Sequence, residues 1–268
     1  MNKVEQPLIS VITIVYNGEK HLQKAINSIK EQTYKNIEYI VIDGGSTDNS
    51  LDIIKSNNDI ISYYISEPDK GISDAFNKGI AKANGNIIGL LNSDDMYEAN
   101  ALEEVVNAYI NNAHTEGIYY GNIRYFDEIH SFELIPEIKN IWKYMSLFHP
   151  AVFVSQDVYN KIGSFSLEYK YAMDAEFIHR CLVSNISFIH IDSTLANFRL
   201  EGLSNINYKE SFKEFYKSTK TYGNYPYAYF YYVLGVSKKR ILNSKVGDYI
   251  NKYRYLLSPF MSGKYKKS

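Results

Sequence analysis

NIIGLLNSDDMYEAN, residues 86–100, is apolar through most of its first half and then ends in two adjacent carboxylates, Asp94 and Asp95. An Ile- and Leu-rich run that short, closed by turn residues, reads as a buried strand with the acids standing where it leaves the core. Three runs of the same kind precede it: Leu8 to Val15, Ile37 to Ile42 and Ile60 to Ile65. All four are nearly continuous rather than alternating, as expected of strands buried on both faces of a parallel sheet. Between them Leu22, Ala25, Ile26 and Ile29 recur at helical spacing, as do Ala75, Phe76, Ile80 and Ala83. Strand alternating with helix predicts a right-handed, doubly wound α/β sheet.

In open parallel sheets ligands bind outside the carboxyl ends of the strands. The four strand exits read Tyr16-Asn17, Asp43-Gly44-Gly45-Ser46, Glu67-Pro68-Asp69-Lys70-Gly71 and Asn92-Ser93-Asp94-Asp95. Carboxylates brought to one edge raise one another's pKa unless a cation or hydrogen-bond donors compensate them, and a divalent metal with a phosphorylated ligand would do so. Each exit also has a plainer reading. Asp-Gly favours turns, and Ser, Thr and Asp open helices, so DGGSTDNS can be a turn and a cap, and Asp95 can help open a helix through Leu102, Val105 and Val106.

Composition narrows the classes. A chain of 268 residues, 45% hydrophobic, can bury a full core as one large domain or one domain plus an appendage. A single cysteine, Cys181, excludes an internal disulfide and a cysteine zinc cluster, which suits a reduced compartment. No run approaches the roughly 20 apolar residues of a spanning helix, and the N-terminal run lacks a cleavage pattern, so the expected location is cytoplasmic. The net charge of −1 divides into +10 over residues 205–268 and −11 over the first 204, implying two functional regions.

The segments ISVITIVYN, QTYKNIEYIVIDGGSTDNS, SEPDKGISDAFNKGI and GNIIGLLNSDDMY stand in the order and spacing of family 2 glycosyltransferases with the GT-A fold. The resemblance runs from about Pro7 to Tyr97 and is traceable to Ser204. It implies an inverting transferase with a mostly parallel central sheet flanked by helices. Residues 1–204 would form the catalytic domain, with a nucleotide-binding half over about 7–97 and an acceptor half over about 98–204. By the same resemblance the exits hold a nucleotide-sugar donor, usually a UDP-sugar. Tyr16 with Asn17 would lie near the base, Asp43 at the uracil or ribose, and Asp69 with Lys70 near base and diphosphate. NSDD matches the DxD motif, placing Asp94 at the metal and Asp95 beside ribose or sugar. Asn92 replaces the first Asp of that motif. Its amide oxygen can bond a ribose or ligate a hard cation but carries no charge. Mn²⁺ or Mg²⁺ is the implied cofactor, with substrate phosphates completing its shell.

In the second half, LEYKYAMDAEFIHRCL resembles the family's acidic motif at the start of a helix, where an aspartate deprotonates the acceptor hydroxyl. Asp174 takes that place, the plainer alternative being a helix cap. Glu176 is expected to be solvated or on the acceptor side. His149 in SLFHPAVF is a candidate for acceptor or diphosphate, or else a structural residue beside Pro150, and Arg199 in LANFRLEGLSN is a diphosphate candidate through its planar fork.

Residues 205–268 form a basic, Tyr-rich, helical extension. Its apolar stretch from Tyr225 to Val236 either lies peripherally on an anionic membrane surface, at the inner face of the cytoplasmic membrane, or packs on the catalytic domain or a partner chain. The acceptor implied is a glycan or lipid-linked saccharide, as in surface polysaccharide synthesis, and no nucleic acid. A sugar-nucleotide pyrophosphorylase should carry a Gly-rich basic loop where YNGEKHL stands, and a dehydrogenase a G-x-G-x-x-G. A noncatalytic nucleotide-sugar-binding protein fits Asn92, but not the combination of Asp43, Asp94 and Asp174.

Overall fold

All seven residues of β1 (Ile9–Val15) are buried. It pairs in parallel with β2 (Ile37–Asp43) on one side and β4 (Ile87–Asn92) on the other. In this computed structural model, which describes residues 6–126, 131–199, 207–223 and 225–242, β3 (Tyr63–Ser66) extends the parallel half beyond β2. Helices α1 (Leu22–Lys30), α2 (Ser50–Ser56) and α3 (Ile72–Ile80) provide the crossovers. The strand order β3-β2-β1-β4 therefore brings the four exits to one edge.

Beyond β4 the sheet changes character. After the two-residue β5 (Met96–Tyr97) and α4 (Ala101–Asn111) come β6 (Gly117–Phe126), β7 (Ser131–Leu134), β8 (Val152–Ser155), α5 (Gln156–Ile162), α6 (Met173–Val183) and β9 (Ser187–Arg199). β8 runs antiparallel to both β4 and β6, β6 is parallel to β9, and β7 and β5 pair antiparallel with β6 and β9. Parallel pairing thus belongs mainly to the first hundred residues, and the second half of the sheet is mixed.

Alternate strand residues feed two cores. Val11, Tyr39, Val41 and Leu91 meet Leu22, Ile26, Ile54, Leu102 and Val105 of α1, α2 and α4 on one face. Ile12, Ile40, Ile42 and Leu90 meet Phe76, Val158, Phe177 and Cys181 of α3, α5 and α6 on the other. The helical spacing read from the sequence is what aims each stripe at the sheet. One strand departs from expectation. Ile60 and Ile61 donate their N–H groups to the Asn57 carbonyl at the end of α2, so β3 starts only at Tyr63 and, as an edge strand, is partly exposed along its length.

The C-terminal helices α7 (Tyr208–Ser218) and α8 (Ala228–Leu242) follow. α7 packs on α6 through His179, whose ring stacks on Trp142 at 4.4 Å and hydrogen-bonds Ser218 Oγ at 2.7 Å. Burial pushes the His179 pKa down to about 4, so the ring is neutral there. α7, which precedes the apolar stretch Tyr225 to Val236, is thus packed on α6. On α8, by contrast, Tyr227 just before it, Tyr229, Phe230 and Leu234 are each half or more exposed. Residues 243–268 of the extension lie outside the described residues.

Candidate functional site

The first two exits are bolted together. Asn17 adopts φ +50°, a conformation that Asn tolerates better than most residues. Its N–H donates to Ser46 Oγ at 2.8 Å and its side-chain oxygen accepts from the Thr47 N–H at 2.8 Å. Gly18 N–H donates to Ser50 Oγ, Glu19 N–H to Asp48, and Gly44 N–H to the Val15 carbonyl. Asn17 is thus a structural pin between exits, and Tyr16 beside it stands 66% exposed.

Asp43 is completely buried. Its carboxylate accepts from the Ser46 N–H and from the hydroxyls of Ser46 and Ser66. Asp69 accepts from the Gly71 N–H at 2.8 Å. A Cβ on Gly44 would lie 2.4 Å from Asp69 Oδ2 and 3.4 Å from the Tyr16 ring, so Gly44 is the bare floor where Tyr16 and Asp69 converge. Lys70 is exposed, and its N–H donates to Asp74.

At the fourth exit the Asp95 N–H closes a turn on the Asn92 carbonyl at 3.2 Å. Asn92 and Asp94 are partly exposed and Asp95 is buried. β5 intervenes before α4, so Asp95 does not open that helix. Among the described residues no three His, Cys, Asp or Glu side chains form a metal cage. Hydroxyl and N–H donors already accompany Asp43 and Asp69, one of the two compensations that clustered acids admit. The oxygens of Asn92 and Asp94 still suit a hard cation that draws most of its shell from phosphate and water.

His149 links this turn to the second half. Its Nε2 lies 3.9 Å from Asp95 Oδ2, and its ring packs edge-on to Phe76. Burial pushes its pKa down to about 4, so at neutral pH it is an uncharged polar group. His149 and Asp174 line one narrow cavity with Leu90, Met145, Tyr159, Phe165 and Phe177. Asp174 is the second residue of α6, and its carboxylate accepts the Ala175 N–H at 2.8 Å. Burial raises its pKa from 3.8 to about 6, with the nearby Glu214 charge adding to the rise and N–H donors opposing it.

Glu176 is not solvated as expected. It is 1% exposed and pairs with Arg180 Nε at 2.7 Å, while the Tyr222 hydroxyl donates to its Oε1 at 2.8 Å. One helical turn of spacing brings Arg180 to it, and the extension covers it, so its carboxylate is spent on packing rather than on an acceptor. The Arg199 side chain and residues 200–206 lie outside the described residues. The sequence does not show that Ser46, at the second exit, and Ser66, the last residue of β3, bond Asp43. It also hides Glu214, whose carboxylate accepts the N–H groups of Lys170, Tyr171 and Ala172 at 3.1, 2.7 and 2.9 Å. No local pattern announces that reach.

Comparison with known proteins gives the context. The family model described as Glycosyl transferase family 2 matches residues 10–175. An uncharacterised glycosyltransferase of Rickettsia typhi is 32% identical over 202 residues, covering 69% of this chain and 62% of that protein. The chain thus spans somewhat under two thirds of that relative. Among solved structures, S. aureus TarS residues 1–349 in complex with UDP-GlcNAc aligns with TM-score 0.61 at 18% identity, over 79% of this chain and 66% of that one. A mannosyltransferase from Pyrobaculum calidifontis in complex with GDP-Man and Mn²⁺ aligns with TM-score 0.64 at 13% identity, over 96% and 82%. At those identities the likeness is one of fold.

Proposed function

The chain belongs to glycosyl transferase family 2, and from that premise we propose that it moves a sugar, with inversion, from a nucleotide-sugar donor to a saccharide hydroxyl. The observation that carries this reading is that His149, 3.9 Å from Asp95 of the NSDD turn, and Asp174 line the same small cavity of about 20 Å³. On this reading the donor edge and the base are neighbours.

The donor is proposed to be a UDP-sugar and the acceptor a glycan or lipid-linked saccharide of surface polysaccharide. Tyr16 and Asp69 offer the open surface for the base over Gly44, and contact of Asp43 with uracil or ribose requires Ser46 Oγ to yield one carboxylate oxygen. Lys70 and Arg199 are assigned to the diphosphate side. Asp94, with Asn92, is assigned to Mn²⁺ or Mg²⁺, which when bound compensates charge on the departing diphosphate. Asp174 accepts the proton of the attacking hydroxyl. With its pKa near 6 it is ionised at neutral pH yet more basic than an ordinary aspartate, as a general base should be. A base positioned opposite the leaving group delivers the hydroxyl to the far face of the anomeric carbon, hence inversion. His149, uncharged, can hold the acceptor by one hydrogen bond without competing for its proton.

The extension is proposed to seat the enzyme peripherally on an anionic membrane face. The exposed apolar side chains of α8 together with Lys238, Lys239 and Arg240 support that seat. Among the described residues no helix is long and apolar enough to cross a membrane.

The deciding test has two stages. A thermal-shift screen of UDP-, GDP- and dTDP-sugars with and without Mn²⁺ selects the donor, since specific binding raises apparent stability. NMR of the product, or of the sugar released by slow hydrolysis, then reads the anomeric configuration. Inversion is expected. Retention, or no nucleotide-sugar raising the melting temperature, overturns the reading.

A further inference from the structure

The N terminus of α6 carries the proposed base but is not capped from within the loop that joins α5 to it. Its N-cap residue is Ala172, and no side chain of the preceding loop closes on it. The N–H groups of the loop that leads into it find their acceptor outside that loop. Glu214, near the middle of α7 in the extension, accepts from the backbone N–H groups of Lys170, Tyr171 and Ala172. Three bonds from consecutive amides to one carboxylate are charge-assisted and hold a loop more tightly than neutral contacts. The same anion sits at the positive end of the α6 dipole. Lys217 to Glu168 at 3.0 Å, one helical turn along α7, ties down the start of the same loop.

We propose that Glu214 is a positioning residue for the transfer reaction: from the extension it fixes the loop 170–172 and thereby the placement of Asp174 in the lining of the cavity it shares with His149. This rests on the reading of Asp174 as the base. It makes α7 a working part of the catalytic site rather than an appendage, with the catalytic unit reaching past residue 204.

Two consequences separate positioning from support of the fold. Loss of the three bonds lets the base wander, and a displacement of about 1 Å costs on the order of 10²-fold in rate while binding of the donor, held at the other end of the site, is spared. Loss of the charge alone removes a like charge beside Asp174, so the acid limb of the pH–rate profile moves to lower pH. Other charged or titratable groups around this corner are Glu176 with Arg180 and His179 on α6, Tyr169, Lys170 and Tyr171 in the loop, Glu168 with Lys217 across to α7, Tyr222 on Glu176, and His149. Neither Glu214 substitution below replaces any of them.

The test uses the full chain, UDP-GlcNAc, UDP-glucose and GDP-mannose as probes with Mn²⁺, and the variants Glu214→Ala, Glu214→Gln and Asp174→Asn. Glu214→Ala should lower kcat by about 10- to 100-fold with UDP affinity by calorimetry unchanged, and should speed amide exchange in peptides covering 168–176 but not in those covering 40–50. Glu214→Gln should retain more turnover and shift the acid limb downward. Wild-type kcat and an unmoved acid limb in both Glu214 variants, with Asp174→Asn still impaired, would overturn the role of Glu214 and leave the base standing. Wild-type turnover in Asp174→Asn would remove the base and this inference with it. A fall in melting temperature with unchanged kcat would mark Glu214 as a structural tether only.

Discussion

Replacing Asp174 by Asn should make the protein more stable and far slower, and the two effects come from the same burial. The native pKa stands near 6 against 3.8 for an ordinary aspartate, about two units, and each unit is about 1.4 kcal/mol of penalty on the charged form. Above pH 6 the folded state bears that penalty, roughly 3 kcal/mol, reduced to about 2 kcal/mol for the solvent the side chain still reaches. The sign follows from proton counting: between pH 4 and 6 the folded protein holds a proton that the unfolded chain has lost, so stability falls as pH rises through that window. Asn is isosteric and uncharged, and its amide oxygen still accepts from the Ala175 N–H. At pH 8 the variant should therefore gain about 2 kcal/mol, or about 4–8 °C in Tm, and the gain should shrink toward zero by pH 4. Calorimetric melts of both proteins from pH 4 to 8 measure this directly. Turnover should fall by about 10²- to 10⁴-fold with UDP affinity unchanged. A variant destabilised at pH 8, or one with wild-type kcat, would refute the reasoning.

Three other outcomes are expected. Asp94→Ala should abolish the Mn²⁺-dependent part of UDP binding, whereas Asn92→Asp should preserve or strengthen it, and unchanged affinities by calorimetry in the first variant would sink the metal assignment. Gly44→Ala should weaken UDP binding by about tenfold, because its methyl group would occupy space 2.4 Å from Asp69 Oδ2, and an equal Kd would show that this floor does not meet the nucleotide. Glu at positions 238, 239 and 240 in the full chain should reduce pelleting with anionic liposomes, as should high salt, while nucleotide binding persists. Absence of pelleting by the unchanged protein would refute the membrane seat.

The first half of the fold was legible because parallel strands write themselves as unbroken apolar runs and their exits as turn residues. The run Leu8 to Val15 becomes the strand Ile9–Val15, and Asp43 and the NSDD turn stand at strand exits as their sequence suggests. The mixed half was not, because β8, β6 and β9 pair across long separations that no local period records. The same reason hides the Asp95–His149 approach and the burial of Glu176 under Tyr222. It hides Glu214 most of all, since a carboxylate on an amphipathic helix looks solvated until the loop it serves is folded beneath it. Ile60 and Ile61 mislead in the opposite sense, being apolar residues used to finish a helix.

The bolts between the first two exits also say when the donor edge comes into being. Asn17 to Ser46 and Thr47, and Gly18 to Ser50, join positions some thirty residues apart in the chain. None of these bonds can form until β1, α1 and β2 have docked as one unit, so the donor edge is a property of that unit's folding and not of the chain locally. Opening of the unit would dissolve the edge, and a bound nucleotide, which needs the edge, must oppose the opening by mass action. Slowed amide exchange along β1 and β2 on adding nucleotide would then report occupancy at residues buried out of its reach.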